Sequence, residues 1–232
     1  MDKTPKWFQL GEELLWPLVG MGLSATRQAT TLPVDLQPLG YNALLHHAGC
    51  LQSSMMANEK GKHSAAICLI RQSIEALSIT EISLQTPEFA QPLLEGWKTG
   101  KKTQGNLRKT LEVEIWPKYG TGLWDEPWSD FYENLARAVQ PYAHYTTELE
   151  GWLYAAVAHD VGPEFTAVVG LDTYDALQAT RITLFHMLLT WMLGRILLAH
   201  GGNAEVLARE ERIQELGNAL SASKLLFNVN SG

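Results

Sequence analysis

Two side chains set seven positions apart, Arg137 and His144, have the types that suit chemistry on a phosphoryl group. An imidazole moves a proton to or from an oxygen near neutral pH. A guanidinium fork stabilises charge growing on phosphoryl oxygens, so such a pair needs no metal. Both lie in Ser129 to Trp152, SDFYENLARAVQPYAHYTTELEGW, whose spacing reads as one helical face with Pro141 inside it. Proline removes a backbone donor and crowds the preceding turn, so the approach of the two side chains depends on the kink it makes.

Other reactive residues are scattered. The histidines are His46, His47, His63, His144, His159, His186 and His200, and they form neither H-E-x-x-H nor the E-x-x-H pairs of di-iron bundles. His186 and His200 read as core-edge residues with hydrogen-bond partners. Cys50 and Cys68 sit in apolar helical patterns and read as reduced packing residues. Glycine-rich phosphate loops and nucleophile elbows need a strand ahead of a helix, and none is found. No cofactor or metal is implied. Arg71 and Glu75, four apart, suit an intrahelical ion pair on the surface or a reach to neighbouring helices.

One locally basic stretch stands out in a chain of net charge −7. From Glu95 to Glu112, Lys98, Lys101, Lys102, Arg108 and Lys109 oppose two glutamates. It reads either as a solvated loop and helix start or as a phosphate-facing patch. Bulk charge argues against coating nucleic acid but leaves local steering open. Trp116, Trp124, Trp128, Phe131, Tyr132, Tyr142, Tyr145 and Trp152 crowd the same neighbourhood, as base-stacking platforms or as core.

The elements that must position these residues are helices. Apolar residues recur at spacings of three and four and no strand pattern occurs, so the expectation is an all-α, single helical bundle of about eight helices over residues 1–232. The segment Trp7 to Arg27 is expected to bend or break at Pro17, Gly20 and Gly22. Pro38 should open a helix to about Asn58, and Ser64 should cap one running toward Pro87 with Ile67, Ile70, Ile74 and Leu77 inward and Glu81 at the edge. Pro87 starts a short helix through Trp97. Asp125 caps the next helix, a further one runs from Thr146 or Thr147 to about His159, Asp172 caps a long apolar helix through His200, and Asn203 caps a last one to about Ala222. The N-terminus lacks a secretory pattern, so the mature chain is expected to begin at Met1 or Asp2. Ile182 to Ala199 is interrupted by His186, Thr190 and Arg195, which suits a buried helix rather than a membrane span, and a cytoplasmic protein is expected.

The R-A-V-Q-P-Y-A-H stretch from Arg137 to His144, together with the upstream L-I-R-Q-S-I-E-A-L helix, resembles the HEPN superfamily. Its ribonuclease members are helical bundles carrying an arginine, four to six intervening residues and a histidine. The resemblance covers roughly residues 39–152 as a HEPN-like core, with the N- and C-terminal helices as additions. It implies RNA binding or metal-independent endoribonuclease activity of the toxin or phage-defence kind. It further implies a homodimer with both copies of Arg137 and His144 facing one groove, and a possible protein partner such as an antitoxin. His144 would move the proton of a 2′-hydroxyl or of the leaving oxygen, and Arg137 would stabilise the phosphorane. Tyr142 and the stretch Lys98, Lys101, Lys102, Arg108 and Lys109 would contact substrate. The competing reading is a non-enzymatic helical interaction or accessory protein, and a third is a metal-dependent bundle hydrolase.

Overall fold

A computed structural model of the chain describes residues 4–27, 31–143, 174–200 and 204–222. Among these residues the protein is all-α, with nine α-helices and a single isolated β-bridge between Thr121 and Pro127. The sequence position just after Ala143, which is His144, lies outside the described residues, as do the expected helix from Thr146 or Thr147 to His159, Trp152, and the caps Asp172 and Asn203.

Helix α1 spans Lys6–Arg27 without a break. The expected interruption at Pro17 does not occur. Pro17 lies inside the helix, and the lost hydrogen bond is offset by an apolar face, Leu10, Leu14, Leu15, Leu18 and Val19, that is buried against the bundle. Gly22 is there for contact: a Cβ on it would lie 2.6 Å from Leu44 Cδ2 of the next helix.

Helices α2 (Gln37–Glu59) and α3 (His63–Ser83) form the dominant packed pair. Pro38 falls in the first turn of α2, where its missing N–H costs nothing. Gly61, at φ 75°, turns the chain between the two helices. Their antiparallel register is marked by Gly40 beside Ser83, His47 bonded to Ser73 and Ser54 bonded to Ala66. Ser64 is not the cap. The helix begins at His63 with Lys62 at the N-cap and no side-chain cap bond. It also ends at Ser83, short of Pro87.

Helices α4 (Pro87–Lys98) and α5 (Gln104–Glu114) follow, the latter opened by a capping box in which Thr103 and Asn106 bond reciprocally. Two 3-10 turns, Trp116–Tyr119 and Leu123–Asp125, lead to α6 (Trp128–Val139). Asp125 does not cap α6: Pro127 holds the N-cap position, while Trp124 (φ 62°) and Asp125 (φ 58°) occupy the left-handed region. The loop is closed by Trp128 N–H donating to the Gly120 carbonyl at 3.0 Å.

Helix α7 (Ala176–Ala199) is capped by Asp175, whose side chain accepts from Gln178 N–H at 2.7 Å. Its mean hydropathy of 1.7 and its length suffice to cross a membrane, but 72% of that apolar window is buried by the other helices, chiefly α1, α3 and the last helix. Short α8 (Ala204–Leu207) and α9 (Glu210–Ser221) close the described chain. One contiguous apolar core runs from Trp7 in α1 to Leu220 in α9.

Gly40→Ala places a Cβ 2.3 Å from Ser83 Cβ and must push α2 from α3, whereas Gly20, also inside a helix, has nothing within 4 Å. Urea unfolding is expected to show Gly40→Ala losing about 1–3 kcal/mol. Gly20→Ala is expected to gain about 0.5–1 kcal/mol from the better helix former.

Candidate functional site

Arg137 stands in the last turn of α6, away from the buried face made by Phe131, Tyr132, Leu135, Ala136 and Val139. Its side chain is 72% exposed and donates to Glu133 Oε1, one turn back, at 2.7 Å. Pro141 then exerts the effect its chemistry requires. The α-helix stops at Val139, and Gln140–Ala143 form a 3-10 turn that packs on α3. Arg137 and the position before His144 therefore do not share one straight α-helix. The side chains of Tyr142 and His144 lie outside the described residues.

The basic stretch does not form one patch. Lys98 bonds the Asp35 carboxylate at 2.7 Å and holds its pKa below the ordinary value. The Lys102 stem lies over Gly96, where a Cβ would come within 2.8 Å of it. Lys101 and Lys109 are exposed, with no ion pair among the described residues. Arg108 alone turns inward. It is half-buried, has no hydrogen-bond or ion-pair partner among the described residues, and lines a pocket of about 230 Å³.

Four elements wall that pocket: α3 with Arg71, Glu75 and Ser78, the first turns of α5 with Gln104 and Arg108, α6 with Tyr132, and the turn at Gln140. Arg71 bonds Glu75 Oε1 at 2.8 Å, but it is not the solvated surface residue its spacing suggested. Its side chain is 16% exposed, and its Nε is buried with no partner. A buried guanidinium N–H without an acceptor is costly and calls for an anion. Tyr132 and Ser78 share a 2.6 Å hydrogen bond behind it, and burial raises the tyrosine pKa. Two guanidiniums against one carboxylate leave the pocket positive.

Behind this pocket is the group that the sequence reading set at the margin. Glu81 is fully buried. Trp116 Nε1 donates to both of its oxygens, at 3.1 and 3.3 Å, and the Tyr119 hydroxyl bonds it as well. Burial is the larger effect, and the carboxyl pKa is pushed up to about 7. Gln85 connects the same cluster to His200 at 2.9 Å, and burial lowers that imidazole to about 4. The signal lay in the spacing: Glu81 continues the register of Ile67, Ile70, Ile74 and Leu77, which points a carboxylate at the core.

The remaining candidates are structural. His47 and His186 are fully buried and lowered to about 4 and about 3 by desolvation, bonded to Ser73 and Ser54. Among the described residues no three His, Cys, Asp or Glu side chains gather to hold a metal ion. Burial raises both cysteine thiols, which disfavours the thiolate. Trp116, Trp128, Phe131 and Tyr132 are core rather than stacking platforms, each at most 2% exposed. Compared with protein-family models, curated proteins and solved structures, the chain matches none of them significantly.

The Glu81 carboxyl keeps its proton up to about pH 7 in the fold and releases it near 4.5 when unfolded. Between those values the folded chain binds the extra proton, so this contribution to stability is full below about pH 4.5 and is lost as pH rises through about 7. Glu81→Gln keeps an acceptor for Trp116 and cannot ionise. The stability of wild type minus that of Glu81→Gln is expected to fall by about 3 kcal/mol across this window, measured by urea unfolding at several pH values. A difference that stays constant would show that Glu81 does not hold its proton.

Proposed function

We propose that this chain binds RNA where α3, α5 and α6 meet, and cleaves it without a metal through Arg137 and His144. One observation carries the reading. In a chain of charge −7, an unpartnered Arg108 and a half-satisfied Arg71 converge on one pocket, beside the turn that leads from Arg137 toward His144. Guanidinium groups without carboxylate partners favour phosphate, and steering by a local patch does not need a basic protein. The HEPN resemblance at the same residues supports it.

In this mechanism neutral His144 takes the proton of a ribose 2′-hydroxyl, and the oxygen attacks the adjacent phosphorus. The bond from phosphorus to the 5′-oxygen breaks. The leaving oxygen recovers a proton, and the products carry a 2′,3′-cyclic phosphate and a 5′-hydroxyl. Arg137 stabilises the extra charge on the phosphoryl oxygens. Its bond to Glu133 is an exposed pair of the kind that contributes about 0.3–0.5 kcal/mol, so phosphate displaces it readily. Exposed Lys101 and Lys109 flank the backbone, and Tyr142 contacts substrate. The reading carries with it a cytoplasmic homodimer of the toxin or phage-defence kind, with a protein partner such as an antitoxin.

A second reading, a non-enzymatic helical accessory protein, is favoured by the surface position of Arg137 outside the pocket. Mixed RNA incubated with chelator separates the two. Wild type is expected to leave cyclic phosphate ends. His144→Ala and Arg137→Ala are expected to cut at least about 100-fold more slowly while melting within a degree or two of wild type. Intact RNA with the wild-type chain would select the second reading.

A further inference from the structure

We propose that the pocket between Arg71 and Arg108 receives a terminal phosphomonoester with its sugar, so that the chain recognises phosphorylated ends rather than internal phosphodiesters. This rests on the reading of that junction as a phosphate site and names its ligand. The pocket is enclosed by α3, the start of α5, α6 and the Gln140 turn, so a strand can enter it but does not pass through. Its volume of about 230 Å³ is that of roughly seven waters. That space takes a phosphate and a pentose and leaves no room for a second nucleotide.

The donors fit an end. A monoester presents three terminal oxygens, one more than an internal diester. Arg71 offers its buried Nε–H, Arg108 an unpartnered guanidinium, and Gln104 an amide in the first turn of α5. Arg71 cannot swing freely toward solvent, because Glu75 holds its terminal nitrogen at 2.8 Å and its side chain is only 16% exposed. The guanidinium is therefore oriented before the ligand arrives, which lowers the entropic cost of binding. Glu75 is 36% exposed and keeps a free oxygen in the pocket. A carboxylate repels phosphate but accepts hydrogen bonds from sugar hydroxyls, so it places the pentose on the α3 side and the phosphate between the arginines. Tyr132 and Ser78 are satisfied by each other and form the floor.

Calorimetric titration of the full chain carrying His144→Ala, which keeps RNA intact, tests this with ribose 5-phosphate, ribose, and short oligouridylates bearing a 5′-phosphate or a 5′-hydroxyl. Ribose 5-phosphate is expected to bind at least about tenfold more tightly than ribose, and the 5′-phosphorylated oligomer about tenfold more tightly than its 5′-hydroxyl counterpart. Arg108→Gln, on a half-exposed helix face that tolerates substitution, is expected to remove both preferences and leave the circular dichroism spectrum unchanged. Arg71→Lys keeps the charge but loses the Nε–H, and is expected to weaken ribose 5-phosphate by several-fold. Ribose 5-phosphate binding no better than ribose, or binding unaffected by Arg108→Gln, overturns the proposal. Binding of ribose 5-phosphate with neither oligomer bound keeps the pocket as a site for a free sugar phosphate, and only the RNA reading falls.

Discussion

The seating of α6 depends on one buried carboxyl group. Glu81 has no cation beside it, so its removal from water is compensated only by protonation and by hydrogen bonds from Trp116 and Tyr119. Both donors belong to the 3-10 turn Trp116–Tyr119, which is thereby fixed against α3. Trp116 stacks on Tyr132 at 4.2 Å and Tyr119 meets Trp128 edge-on at 5.2 Å, so the turn in turn fixes α6. Tyr132 returns to α3 through Ser78. The loop of contacts from α3 to the turn, to α6 and back is closed, and the positions of Arg137 and Gln140 follow from it.

The other end of the bundle is fixed by neutral histidines. His47 Nδ1 lies 3.0 Å from the Ser73 carbonyl, which can only accept, so that nitrogen carries the proton. His63 Nδ1 bonds Asn58 Oδ1, its Nε2 accepts from the Asp175 N–H, and the Asn58 amide reaches the Ala179 carbonyl. His186 bonds Ser54, which donates to Ala66. These contacts join α2, α3 and the start of α7 in one register. Apolar burial supplies most of the free energy of such a core but does not select among sliding positions of α7, which is buried nearly all round. The polar contacts make that selection. Their acid sensitivity opposes that of Glu81: the lowered histidines cost stability as pH falls below 6.5, while the raised carboxyl costs it as pH rises toward 7.

What the sequence made legible follows periodicity and what it hid follows contact. Apolar spacing gave the all-α class and most helix spans, since an apolar stripe is a local property. Pro17 and Gly22 misled because a break depends on what the helix packs against: Leu44 fills the space that Gly22 leaves, and the buried face of α1 outweighs one lost hydrogen bond. Ser64 and Asp125 were plausible caps by type, but the chain enters α3 one residue earlier, and the loop closed by Gly120 and Trp128 hands the cap of α6 to Pro127. The basic stretch was legible as a charge count and not as a site, because Asp35, distant in sequence, neutralises Lys98, and only Arg108 faces α3. The Arg71–Glu75 spacing foretold the pair but not its burial, which α5 and α6 impose.

The distribution of partners among the cations separates structure from function here. Lys6, Lys98, Arg137 and Arg212 each meet a carboxylate at the surface, where the pair contributes little and any of several acceptors would serve. Arg195 is held by the Tyr119 carbonyl and lies over Trp191 at 5.4 Å, so its work is to fix the turn. Arg71 and Arg108 fit neither pattern. One is desolvated with a donor left over, and the other points into a concave site without a counterion although the chain holds seven more acids than bases. An acidic protein has ample carboxylates to neutralise an arginine wherever only stability is at stake. Two left uncompensated on one small pocket keep their charge for a ligand that brings its own.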